Sequence, residues 1–178
     1  MAKFSDIWTQ LEQAGGPTPF LLVDCAGLEG GEQRIPRDIF SELECLFTGD
    51  LAVELADVGP YLGHLRSFES GVARVVEELL ESQVGTMVLA QVPRAESGTL
   101  SFSQLHRHFR KFNVVYGPDA EPLFFRYYDP RVIVDVLKVF EPRQIEEFFG
   151  PVESLVLFDS ESLALMCRRN AGALMITN

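Results

Sequence analysis

Apolar and polar positions along this chain change period several times, and each change predicts an element. Phe68, Val72, Val75, Val76, Leu79 and Leu80 recur at helical spacing while Glu69, Glu77, Glu78 and Glu81 take the other side, which predicts an amphipathic helix. Phe4, Ile7, Trp8 and Leu11 predict a shorter one over 4–13, broken by Gly15-Gly16-Pro17. The apolar runs PFLLVDCAG (19–27) and TMVLAQV (86–92) read as buried strands. Ser101 and Gln104 have capping-box spacing ahead of a helix that buries Phe102, Leu105 and Phe109. Between these, 27–34 and PRAESG (93–98) read as loops, and 36–43 as a short helix opened by Pro36. Leu46-Phe47 reads as a brief strand, and 51–65 as partly helical with a stop at Gly59-Pro60.

The densest set of signals lies in PLFFRYYDPRVIVDVLKVFEPRQIEEFFG, residues 122–150. Its aromatic run 124–128 predicts a strand, ended by Asp129-Pro130. Proline suits the first position of a helix because its φ is already helical and its missing N–H would be unpaired there. Asp129 then falls at the N-cap, ahead of an apolar face of Val132, Ile133, Val136, Leu137 and Phe140. Pro142 repeats the device for a short helix carrying Ile145, Phe148 and Phe149, and Gly150-Pro151 supplies the stop. Upstream, VVYG pairs with PLFFRYY as a hairpin across Pro118-Asp119. Downstream, SLVLF and LALMC, separated by DSES, form a second hairpin, and ALMIT adds one more strand.

Helices and strands alternate early and strands cluster late. The fold class this predicts is α/β (α+β): a single domain over 1–178, with a mixed β-sheet flanked by helices and a hairpin-rich C-terminal third. No separate C-terminal helical lobe is expected.

Charge narrows the function. A net charge of −11 disfavours nucleic acid and anionic membrane as partners. No apolar run is long enough to span a bilayer, and the N-terminus lacks the apolar core of a secretory signal. Cys25, Cys45 and Cys167 form no CxxC pair, which fits reduced thiols in a cytoplasmic protein.

Motifs for chemistry are sparse. GLEGGEQR has no lysine or hydroxyl where a phosphate-binding loop needs them, and GxGxxG, HExxH and GxSxG do not occur. The one nucleophile to weigh is Cys25, beside Asp24 at a strand end, with His106 or His108 as a base elsewhere in the chain. A small buried thiol is the commoner fate of such a cysteine. His106 and His108 diverge by about 200° on a helix and do not suit one metal ion. Glu77, Glu78 and Glu81 read as a solvated helix face. No catalytic residue, metal or cofactor is expected.

One local charge stands out from the acidic background: His106, Arg107, Arg110 and Lys111 form a basic face opposite Leu105 and Phe109. It reads either as an ordinary wet helix side or as a docking patch for an acidic segment. Tyr127 and Tyr128 alternate along the expected strand, so Tyr127 is a further candidate contact, although core packing is the commoner fate of both.

LHRHFR, FFRYYDPRVI and QIEEFFGPV together resemble the effector adaptor/chaperone family of bacterial type VI secretion. FLLVDCAG and CLFTGDLAVELADVGPYLGHL are similar to its first strand and the segment after it, so the resemblance covers about residues 18–160. Its motifs fall on His108, Arg110, Phe125, Arg126, Tyr128, Asp129, Pro130, Arg131, Phe149, Gly150 and Pro151. The resemblance implies a non-enzymatic cytoplasmic adaptor that binds a secreted effector and promotes its loading onto the VgrG spike. The alternatives are a small hydrolase or transferase using Cys25, or an immunity-like partner of a toxin. HFR stands where the family usually has HLR, and many members continue into a helical C-terminal lobe.

Overall fold

The structure, a computed structural model, describes residues 3–90, 100–117, 119–159, 164–170 and 173–177. A seven-stranded sheet runs through it in the order β2-β3-β1-β4-β7-β8-β9. The strands are β1 (Phe20–Asp24), β2 (Phe40–Cys45), β3 (Pro60–Leu65), β4 (Gly85–Ala90), β7 (Val152–Phe158), β8 (Ala164–Asn170) and β9 (Ala173–Thr177). β5 (Val114–Tyr116) and β6 (Pro122–Phe124) form a separate hairpin. The α+β class holds, but every described pairing is antiparallel where a mixed sheet was expected.

Side chains alternate across the sheet and divide the core in two. Phe20, Leu22, Val88, Leu155 and Leu157 face α4 (Phe102–Arg110), α5 (Pro130–Val139) and α6 (Pro142–Phe149). Leu21, Val23, Met87, Val156 and Phe158 face α1 (Phe4–Gln13) and α3 (Ser70–Glu81). β1 and β4 are therefore sandwiched between helices, which is why their sequences are apolar on both sides. A short helix, α2 (Asp50–Leu55), precedes β3.

Several expectations shift. Residues 36–43 are not a helix: a 3-10 turn over Arg37–Ile39 leads into β2. β2 ends before Leu46-Phe47, which are buried just beyond it. Its register slips between Phe40 and Glu42, so Phe40, Leu43 and Cys45 do not follow a strict two-residue period. β3 contains two apparent breakers. Pro60 is its first residue, where a missing N–H is tolerated, and Gly63 lies under the Phe40 ring, where a Cβ would collide. The strand expected over 124–128 stops at Phe124. There the chain turns, with the Asp129 N–H donating to the Arg126 carbonyl at 3.1 Å. Gln91 and Val92 of TMVLAQV, the PRAESG loop, Pro118 of the hairpin turn and residues 160–163 lie outside the described residues.

Candidate functional site

Local physics places the charged junction at 126–131. Asp129 caps α5, its Oδ1 accepting the Arg131 N–H at 3.0 Å, and Pro130 opens the helix. The same carboxylate takes the Arg131 guanidinium at 2.8 Å and 2.9 Å. Arg126 lies 3.3 Å from Asp129 and donates to Asp24 Oδ2 at 2.7 Å. Asp24, at the end of β1, is fully buried, and its other oxygen accepts the Ala26 N–H at 3.2 Å. Two carboxylates and two guanidinium groups thus tie the first strand to the start of α5.

Each charge has a legible state. Burial lifts the Asp24 carboxyl above its ordinary range, opposed by the Arg126 charge and hydrogen bond. Burial also pushes Asp129 up, but the hydrogen bonds from Arg131, with the charges of Arg131 and Arg126, outweigh it and leave the carboxyl lowered. Tyr128, beside Asp24 and Arg126, is pushed up to about 12, chiefly by burial, so it is a neutral phenol. Each carboxylate is thus matched by a guanidinium, an arrangement that ties the two segments together.

Of the remaining motif residues, Arg110 is exposed, Phe125, Gly150 and Pro151 are half-buried, and His108 and Phe149 are buried. The His108 Nε2–H donates to the Phe148 carbonyl at 2.8 Å, and Gly150 packs on the ring: a Cβ there would lie 2.5 Å from His108 Cε1. Gly150 has φ +44° and ψ −112°, a conformation that side chains avoid. Burial holds His108 below its ordinary pKa, so the ring is neutral near pH 7. Phe149 is buried, and Phe125 packs edge-on to Tyr127 at 5.7 Å. Tyr127 is not a surface contact. It is wholly buried, stacked on Phe109 at 5.6 Å, with its hydroxyl donating to the Phe109 carbonyl at 3.0 Å. Burying so large a phenol requires that partner. Sequence reasoning missed Asn113, which lies 3.2 Å from the Tyr127 hydroxyl and donates to the Leu46 carbonyl at 2.6 Å. No periodicity marks it.

The basic face is smaller than expected. His106 is buried and its Nε2–H donates to the Cys45 carbonyl at 2.9 Å, so it leaves the patch. Arg107, Arg110 and Lys111 stay exposed, and none makes an ion pair among the described residues. Arg107 and Arg110 occupy the last turn of α4, where a cation also suits the helix dipole.

Cys25 is fully buried in the core on the α1/α3 side, whereas His106 and His108 lie on α4, against the opposite sheet face. Burial, with Asp24 adding to it, pushes its thiol up to about 12. That is the reverse of what a thiolate nucleophile needs. Among the described residues, no group of three or more His, Cys, Asp or Glu side chains is placed to hold a metal, and no helix is long and apolar enough to cross a membrane.

The contacts linking Asp24, Arg126, Asp129 and Arg131 lie within the stretch that matches a known family. Its model, described as a domain of unknown function (DUF4123), matches residues 19–147, and the chain belongs to that family. The family is associated with effector adaptors and chaperones of type VI secretion. No curated protein and no solved structure matches the chain.

Proposed function

We propose that this chain is a type VI secretion adaptor that works by binding alone, holding an effector in the bacterial cytoplasm and promoting its loading onto the VgrG spike. Membership of the DUF4123 family is the observation that carries this reading. The geometry is compatible with it: Arg126, Asp129, His108 and Gly150 are occupied with holding the fold together, which leaves recognition to other, exposed side chains. Against a hydrolase built on Cys25 stand its burial, its raised thiol pKa and its separation from both histidines.

Recognition by such an adaptor rests on differences in binding free energy between partners. Deleting the gene is expected to abolish delivery of one effector while the apparatus still fires and exports other cargo. Unchanged delivery of every effector would overturn the adaptor reading. Self-intoxication by a toxin that the chain otherwise neutralises would point to an immunity-like role instead.

A further inference from the structure

An open groove of about 520 Å³ lies between the β5–β6 hairpin, the end of α4, and helices α5 and α6. Its walls are largely apolar: Phe112, Tyr116, Val136 and Phe140 line it. On the hairpin wall of the groove, Tyr116 is 72% exposed and Val115 37% exposed. Large side chains are usually spent on the core, so such a concentration on one short hairpin marks a surface that something covers. The charge at its mouth indicates what. Lys111 lines the groove, and Arg107, one helical turn back, extends the same stripe with Arg110 beside it. These cations lack ion-pair partners among the described residues, on a chain whose net charge is −11.

We propose that this groove receives an acidic amphipathic helix of the protein partner, with its apolar stripe against Phe112, Val136 and Phe140 and its carboxylates on Lys111 and Arg107. The proposal rests on the adaptor reading for the partner's identity, but not for its chemistry. Helix-in-groove docking matches apolar anchors to an apolar recess, and rim charges set orientation and association rate. Acidic segments are repelled by most of this chain's surface, so the basic stripe steers them to one place. Glu147, on the α6 wall, has the opposite sign. It favours a helix that carries one basic residue on that side, which fixes the direction of the helix in the groove.

Photocrosslinking in the native host tests this. p-Benzoylphenylalanine is placed at Tyr116 or, as a control on the far side of the sheet, at the exposed Arg74 of α3, and crosslinked peptides are sequenced. The expected product at Tyr116, and not at Arg74, is a partner peptide with helical apolar spacing and net negative charge. Combining Arg107→Glu with Lys111→Glu is expected to cut its yield by at least about fivefold at low salt, with a smaller loss at high salt. A basic or non-amphipathic peptide, a second copy of this chain, or equal yield at both positions would overturn the groove proposal. The two readings fail separately. An effector crosslinked only at Arg74 removes the groove and keeps the adaptor. An acidic amphipathic helix from a protein unrelated to secretion keeps the groove and removes the adaptor.

Discussion

Arg126 donates to Asp24 at 2.7 Å across 102 residues of sequence, joining the end of the first strand to the turn before α5. Asp24 is wholly buried while the Arg126 side chain is 40% exposed, so the carboxylate depends on this contact more than the guanidinium does. Arg126→Met is therefore expected to destabilise the fold by about 2–3 kcal/mol, because it strands a buried charge. Adding Asp24→Asn should recover part of that loss. Denaturant midpoints for the two single variants and the double variant check it; strictly additive effects would mean the pair is not coupled.

Asp129 caps α5 and also holds Arg131. Asp129→Ala is expected to cost about 1–2 kcal/mol, the upper end reflecting the lost arginine contacts. Asp129→Asn, which keeps the capping oxygen, should cost less. Equal urea midpoints for wild type and Asp129→Ala would refute the capping role.

Gly150 and His108 share one space, and the conformation at Gly150 is one that a side chain strains. Gly150→Ala is expected to destabilise by about 1–3 kcal/mol. In the His108→Ala background the steric share of that cost should vanish and the backbone share remain. A double-mutant cycle measures the difference.

His108 and Asp129 both give the stability a pH dependence of the same sign. His108 has a folded pKa below its ordinary 6.5, so its contribution is present above about 6.5 and is lost as pH falls through the lower folded value. Asp129 behaves likewise at lower pH: its contribution is present above its ordinary 3.8 and is lost as pH falls below that. Unfolding midpoints at pH 7.5 and 5.5 should fall more for wild type than for His108→Gln, which keeps a donor but does not titrate in this range. Parallel curves would show that His108 is not a source of the acid sensitivity.

The sequence carried what is local. Asp129-Pro130 announced the cap, Ser101 and Gln104 the start of α4, and the Val72–Leu80 face the helix that covers one side of the sheet. What it hid depends on partners distant in sequence. β2 was masked by the register slip at Phe40, and β3 by Pro60 and by the Gly63 that makes room for the Phe40 ring. The run 124–128 has strand composition, but packing overrides it: the turn at Arg126 sends both tyrosines into the core and the guanidinium to Asp24. His106 read as part of the basic face because periodicity cannot see the Cys45 carbonyl that draws it inward.

Recognition without turnover is tested most directly by co-expressing the chain with each effector encoded near it and measuring complex formation by light scattering after size exclusion. A stoichiometric complex with one effector, which then captures the VgrG spike while the free effector does not, is the predicted result. An absence of complex with every effector and with the spike would contradict it.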